Sequence, residues 1–405
     1  MADKTKATGK LAELTKGPYP SFVKEIEAAA ATNKMAQDLI GQLELSYDEK
    51  IGHWKHGGIV GVMGYGGGVI GRYSDVPDKF PNVSHFHTIR VNHPAAWFYK
   101  TDVLRKIADM WEKRGSGVMN MHGSTGDQVL LGTSTPELEP IFTELTKIGF
   151  DLGGSGSVMR TPSCCVGQAR CEWACYDTMK VTYELTMRYQ DELHRPYFPY
   201  KFKFKMSGCP NDCVASIARA DMSLIGTWRD DIQVNQDKAL WYVQDKKLDI
   251  RSIVIDRCPT SCMDWDGKEL HIDNRNCSRC MHCINVMHLA LKPGMDRGCT
   301  ILLGAKAPIL EGAQLSNVLV PFMKMEPPYA EDEVTYEDMP ELVDNIWELW
   351  GEEGKNRERV GEFVQRIGMG NFLDAIGLEP LPEMVAHPRE NPYVFYDLSA
   401  EKGEE

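Results

Sequence analysis

Lysine and apolar residues alternate along KFKFKM, residues 201–206, with Lys201, Lys203 and Lys205 separated by Phe202 and Phe204. Period two is strand spacing, so the lysines share one face and the aromatic residues and Met206 the other, buried one. Elsewhere the pattern is helical. Over residues 1–50 the anchors Phe22, Ile26, Met35, Leu39 and Leu43 predict a peripheral helical segment. FHTIRV then reads as a strand, Leu104, Ile107, Ala108 and Trp111 as one face of a helix, and SGVMNMHG as a second strand. TPELEPIFTELTKIG predicts another helix, with Thr135 as its cap and Pro136 in the first turn. Residues 51–160 are therefore an α+β unit.

Further on, the stretch CTILLGAKAPILEGAQLSNVLVPF predicts strand and helix. The Lys- and Arg-free acidic run between Lys324 and Lys355 reads as a solvated face or linker. Val360, Phe363, Val364 and Ile367 mark a last amphipathic helix, and HPRENPYVFYDLSAEKGEE an extended tail. The glycine-rich GYGGGVIGRYSD contains a formal GxGxxG at Gly66, Gly68 and Gly71. A dinucleotide site is rejected there, because the following RYSDVPDKFPNVSHFH offers no helix N-terminus to a pyrophosphate.

The 405 residues allow more than one domain, and 42% apolar with 25% charged content is ordinary for a globular chain. A net charge of −13 argues against nucleic acid as the main partner. The opening MADKTKATGKLAELTK lacks the apolar stretch of a secretion signal, and no segment is long and apolar enough to span a bilayer, so a cytoplasmic location is expected.

Twelve cysteines change the picture, since in such a setting thiols serve metal or catalytic chemistry more often than disulfides. NCSRCMHC places Cys277, Cys280 and Cys283 at the bacterial ferredoxin spacing for a [4Fe–4S] cube. Three cysteines so spaced are rare in zinc knuckles. The fourth ligand must come from elsewhere, and DRCPTSC offers Cys258, followed by proline, with Cys262 as rival. A second set joins Cys165 and Cys171 to Cys209 and Cys213 of MSGCPNDC. Cys164 and Cys175 are alternatives, because Cys171-x3-Cys175 copies the later spacing.

The uncommon Cys-x5-Cys…Cys-x3-Cys pattern resembles the signature of the siroheme nitrite and sulfite reductases. RVNHPAAWFYKTDVLRKIADMWEKRGSGVMNMHG is similar to their ferredoxin-like half-domain. With the inserted ferredoxin run, nearly the whole chain resembles the dissimilatory sulfite reductase alpha subunits. One departure is that HGSTGDQ stands where many assimilatory relatives carry Thr-x-Arg-Gln, so one anion-binding arginine is missing.

The resemblance implies an α+β siroheme nitrite/sulfite reductase fold with ferredoxin-like half-domains and an inserted [4Fe–4S] ferredoxin domain. Its parts would be an N-terminal helical segment 1–50, a half-domain 51–160 and a siroheme/[4Fe–4S] domain from 161–239 and 299–325. The ferredoxin insertion would cover 240–298, and an acidic segment with helix and tail 326–405. It implies siroheme and two [4Fe–4S] clusters, with Cys213 also bridging to the siroheme iron. Arg90, Arg160, Lys201 and Lys203 would face sulfite, while Arg72, Lys205, Arg170 and Lys306 would hold cofactor carboxylates. Cys165, Cys171, Cys209 and Cys213 would hold one cluster, and Cys258, Cys277, Cys280 and Cys283 the other. It further implies multi-electron reduction of sulfite toward sulfide, run forward or in reverse. The implied partners are a beta subunit in an α2β2 assembly, a small sulfur-carrier protein and an electron donor. Nitrite as substrate, or an iron–sulfur electron-transfer subunit without tetrapyrrole, are the competing readings. His85, His87, His93 and His122 read as core or rim histidines, Met206, Met222, Met281 and Met287 as packing, and Trp97 and Trp111 as core.

Overall fold

The computed structural model describes residues 4–94, 98–195, 197–307 and 312–380. Helices α1 (Gly9–Ala12), α2 (Phe22–Ala30) and α3 (Lys34–Glu49) open the chain, with Ser21 and Asn33 side chains capping the latter two. They bury Ile26, Leu39 and Ile40 against Val83 and Phe86, but Phe22 is exposed and anchors nothing. It shares the face of Ile26 but sits one turn earlier, at the first position of the helix, outside the core cluster that Ile26 joins.

The first sheet contains β1 (Trp54–Val62), β2 (Tyr65–Ser74), β3 (His87–Asn92), β4 (Met119–Met121) and β5 (Gln128–Thr133) in the order β1-β2-β3-β5-β4. A short β6 (Asp151–Leu152) also pairs with β3. The glycine-rich run is the β1–β2 hairpin, consistent with rejecting a nucleotide loop. Helices α4 (Thr101–Arg114) and α5 (Leu138–Lys147) cover one face, burying Ile107, Trp111, Ile141 and Leu145 against Ile89, Val91 and Leu130. Thr135 does not cap α5. It lies in a 3-10 turn ahead of the helix, and its hydroxyl instead meets His87 Nε2 at 2.9 Å.

The second sheet has the order β15-β14-β9-β8-β7. Its strands are β7 (Ser163–Cys164), β8 (Phe204–Ser207), β9 (Met222–Trp228), β14 (Arg297–Leu303) and β15 (Asn317–Lys324). β7, β8 and β9 run parallel, β14 pairs antiparallel with β9, and β15 pairs antiparallel with β14. Among the described residues no helix lies between β14 and β15, so the strand-and-helix expectation there resolves into two paired strands. Between β9 and β14 sit two ribbons, β10 (Gln233–Val234) with β13 (Leu291–Lys292) and β11 (Met263–Trp265) with β12 (Leu270–Ile272). Helices α9 (Gln236–Gln244) and α10 (His282–Val286) accompany them, and this unit has its own apolar core.

Helices α6 (Thr178–Arg188) and α8 (Ser216–Arg219) flank the second sheet, while α7 (Gln190–His194) lies against β2 of the first. The acidic run proves to hold a core helix rather than a linker. In α11 (Met339–Glu353), Leu342, Val343, Ile346, Trp347 and Trp350 are buried, and the acids lie on the opposite face. Helix α12 (Val360–Ile367) buries Val360, Phe363 and Val364, but α13 (Met369–Ala375) follows, so it is not the last helix. Trp97 and the tail lie outside the described residues.

Candidate anion pocket and thiol clusters

The alternating stretch folds as its pattern requires. Phe202 and Phe204 are buried and their rings stand 5.3 and 5.8 Å from that of Trp347 on α11. That anchorage turns the lysines to the other side. A second segment runs alongside in parallel: Phe202 N–H donates to the Val158 carbonyl (3.2 Å), and Arg160 N–H to the Phe202 carbonyl (2.7 Å). Ser163 is paired with Lys205, and Cys165 N–H donates to the Met206 carbonyl (3.0 Å). Two adjacent segments thus carry cations first and thiols a few residues later. At strand rise, Arg160 and Cys165 stand within roughly 20 Å.

Arg160 is nearly wholly buried, and Lys201 and Lys203 are half-buried. Among the described residues none of the three has a carboxylate within ion-pair reach, although Arg160 donates to the Val158 carbonyl (3.0 Å). Burial pulls Arg160 down to about 9 and Lys203 down to about 8, the neighbouring cations adding to the shift. Lys205 is fully enclosed, also pulled down to about 8 by burial, and donates to Ser163 Oγ (2.9 Å). Buried cations held together without counter-charge are costly unless an anion joins them.

Two carboxylates buttress the cluster from behind. Asp127 Oδ2 accepts from Arg90 Nη1 (2.6 Å) and from Thr125 Oγ1 (2.5 Å). Asp221 accepts both guanidinium bonds of Arg359, each at 2.7 Å, and its Oδ2 also takes the Lys203 backbone N–H (2.9 Å). The charge of Arg359 is felt at Arg160, Lys201 and Lys203, so it belongs to the same cluster. Sequence reasoning missed Arg359 and Asp221, whose pairing spans 138 positions. The one available signal was an aspartate set directly before the apolar strand MSLIG.

The remaining cations are dispersed. Arg72 lies near enough to Arg90 to be held below its usual range, mainly by burial, and donates to His56 Nε2 (3.1 Å). Lys306 is paired with Glu362, so its charge is matched within the chain. Arg170 is exposed at the end of a 3-10 turn.

Cys165, Cys171, Cys209 and Cys213 form one thiol group, each close enough to influence Cys209, which burial pushes up to about 11. Cys165 Sγ accepts the Gly208 N–H at 3.1 Å. A side chain at Gly226 would strike the Gly208 carbonyl at 2.0 Å, so glycine there lets β9 close against the loop. Asp212, at φ 45°, locks the Cys209–Cys213 loop by accepting from Ser207 Oγ (2.5 Å), Ser216 N (2.8 Å) and Ile217 N (3.0 Å). Cys164 is buried in the core on the opposite side of β7 from Cys165. Cys175 borders the group, with burial raising it to about 12 and Cys209 and Cys171 nearby.

Cys258, Cys262, Cys277, Cys280 and Cys283 line one pocket of the inserted unit, partly open to solvent. Arg279 and Met281, at φ 54° and 68°, wrap the loop, and Arg279 N–H donates to Cys277 Sγ (3.3 Å). Amides aimed at sulfur suit thiolates that carry charge. Cys258 and Cys262 sulfurs are 3.5 Å apart. Although burial opposes it, hydrogen bonds from the Cys262 and Thr260 backbone hold Cys258 below its usual range, whereas burial raises Cys262 to about 11. Among the described residues no three such groups converge as ligands of a single ion would. Asn211 and Asn285 exchange amide hydrogen bonds (3.1 and 2.8 Å), tying the first thiol loop to α10 beside the second.

A cluster of buried and half-buried cations, an adjoining thiol group and a second, thiol-lined pocket are the parts expected of a redox protein that handles an anion. Residues 155–383 match the family described as nitrite and sulphite reductase 4Fe-4S domain. The chain is 54% identical over 418 residues to the dissimilatory-type sulfite reductase subunit alpha of Nitratidesulfovibrio vulgaris, covering 96% of this chain and 94% of that one. Its fold superposes on the crystal structure of dissimilatory sulfite reductase I (DsrI) with a TM-score of 0.87 and 51% identity, over 97% of this chain and 95% of the other. A more distant relative is the dissimilatory-type subunit beta of Archaeoglobus fulgidus, 24% identical over 86% of this chain. The chain belongs to the dissimilatory-type sulfite reductase alpha subunits, with the mixed α+β fold of the siroheme sulfite reductases.

Proposed function

We infer that this chain is the alpha subunit of an enzyme that reduces sulfite toward sulfide, at a siroheme coupled to an iron–sulfur cluster. The observation that carries this reading is the set of cations Arg160, Lys201 and Lys203, buried or half-buried and free of carboxylate partners, on a ladder that leads to a four-thiol group. Siroheme has a carboxylate rim and sulfite is an anion, so both need converging positive charge in a low-dielectric cavity. In this reading Arg90, Arg160, Lys201 and Lys203 bind the sulfite oxygens, and the two lysines, directly or through water, supply protons as S–O bonds break. Asp127 and Asp221 hold Arg90 and the lysine segment in place. Lys205 and Arg72 serve the cofactor carboxylates, while Arg359 stays paired with Asp221 and braces the lysine segment. Lys306 and Arg170 join them only by releasing Glu362 in the first case and folding inward in the second.

Cys165, Cys171, Cys209 and Cys213 hold one [4Fe–4S] cluster, with Cys213 shared with the siroheme iron. Cys258, Cys277, Cys280 and Cys283 hold the second, with Cys262 left as a spare thiol. A pocket ringed by thiols, rather than a point where they converge, suits a cube whose irons each take one ligand. The bound cofactors supply the electrons and the reactive iron. Partnership with a beta subunit is supported by the existence of related beta chains, and an α2β2 assembly, a sulfur-carrier acceptor and an electron donor complete the proposal. A cytoplasmic site suits a chain whose twelve cysteines are all free thiols. No helix among the described residues is long and apolar enough to cross a membrane.

The test is to quantify iron, acid-labile sulfide and siroheme on one purified sample, then titrate sulfite and, separately, nitrite. Chlorin-like red bands that shift with sulfite, and sulfite-dependent turnover, are expected. Broad iron–sulfur absorption alone would refute the reading, and turnover with nitrite only would move the substrate.

A further inference from the structure

In the sulfite-reducing reading, breaking the S–O bonds consumes protons, and the lysines that face the anion give them up to oxygens that leave as water. Those groups must then be recharged from solvent across a largely buried wall. His122 stands at that wall. It is half-buried, and the charges of Arg90, Asp127, Lys203 and Arg160 all reach it.

A hydrogen-bonded chain fixes its chemistry. The Thr125 hydroxyl donates to Asp127 Oδ2 at 2.5 Å, so it meets His122 Nδ1, 2.8 Å away, as an acceptor. The neutral ring therefore carries its proton on Nδ1 and leaves Nε2 as the basic nitrogen. Ser124 Oγ stands 3.2 Å from Nδ1, where it can accept alongside Thr125, and at 3.5 Å it is the one hydrogen-bonding neighbour of Nε2 among the described residues. Through Thr125, the buried carboxylate of Asp127 supports the imidazolium when Nε2 takes a second proton. Other histidines lack this arrangement. His53 has Asp75 and Glu49 on its ring nitrogens, His194 Nε2 meets the Leu152 carbonyl, and His93 is enclosed away from solvent.

We propose that His122 is a proton-relay residue: it collects protons from solvent at Nε2 and returns them to the cations that have discharged into the substrate. In the step itself, a Lys203 ammonium passes its proton to a departing oxygen and becomes an amine. The His122 imidazolium then restores that ammonium, directly or through water, and is recharged from bulk. No electrons move in the relay, and the proton count balances against the water released. Burial and the flanking arginines and lysine hold His122 below its usual range against the pull of Asp127, so its imidazolium readily gives a proton to an amine.

The proposal rests on the sulfite-reducing reading above, and the experiment separates the two. Holoenzyme carrying His122→Gln, and separately Thr125→Val, is compared with the natural enzyme for the sulfite-induced spectral shift and for turnover against pH, with and without added imidazole. His122→Gln should bind sulfite unchanged and turn over about 10²-fold more slowly, the low end for acid–base groups, with free imidazole restoring part of the rate. Thr125→Val keeps the histidine but cuts its link to Asp127. The imidazolium is then less supported, and the fall in rate with rising pH should begin at lower pH. Undiminished turnover of His122→Gln, or a loss that imidazole does not relieve, overturns the relay. Should that variant fail to assemble, an unmoved pH profile in Thr125→Val overturns it. Failure of the natural enzyme to reduce sulfite would instead remove the parent reading.

Discussion

Asp221→Ala is expected to damage both the stability of this protein and the placement of Lys203. The Asp221 carboxylate is fully buried and the Arg359 side chain is 3% exposed, so solvent screens little of their pairing. Removing the carboxylate leaves the guanidinium with a single long bond to the Ala305 carbonyl, at 3.3 Å, and strips the Lys203 N–H of its acceptor. Breaking a buried pair by deleting one partner costs about 3–5 kcal/mol, mostly the penalty of the orphaned charge. Replacing both partners by apolar residues of similar size, Asp221→Leu with Arg359→Met, removes that penalty and should cost far less than the sum of the single changes. The expected coupling is up to about 3 kcal/mol. Denaturant unfolding of the four proteins, followed by the fluorescence of the buried Trp347 and Trp350, measures it. A single change costing under about 1 kcal/mol, or strict additivity, would refute the view that these charges hold each other in place.

Cys213→Ser should abolish the tetrapyrrole bands and the sulfite-induced shift while keeping the second cluster, whereas Cys283→Ser should do the reverse; iron and sulfide analysis with spectra checks both. Lys203, held down at about 8 by burial, loses its charge in the empty pocket as pH rises through that value, so sulfite affinity should fall across pH 8 and the limb should flatten in Lys203→Gln. The sign for stability is opposite: between about 8 and the ordinary lysine value of about 10.4 the unfolded chain binds more protons, so Lys203 contributes rising stability of the empty protein there. Trp347→Ala should cost about 3–5 kcal/mol and also weaken sulfite binding, because the Phe202 and Phe204 rings rest against it. Unchanged sulfite titration in a folded Trp347→Ala protein would show that the lysine segment is aimed without α11.

Short-range rules fixed a good deal in advance. Period two in KFKFKM dictates which side chains face the core, and the ferredoxin spacing confines three thiols to one tight loop, because neither depends on distant residues. Helix α12 is legible for the same reason. The tertiary structure decided what local pattern leaves open. The acidic run became a core helix because Tyr189 and Phe198, together with the aromatic face of the lysine strand, give Trp347 a place to pack. Cys164 and Cys165 are neighbours in sequence, and the direction of β7 alone puts one in the core and the other beside Gly208. Arg359 joins the pocket, and Lys306 is drawn to Glu362, through pairings made only when distant segments meet. Charge acts through space, and a linear chain records which charges exist without recording which of them will be neighbours.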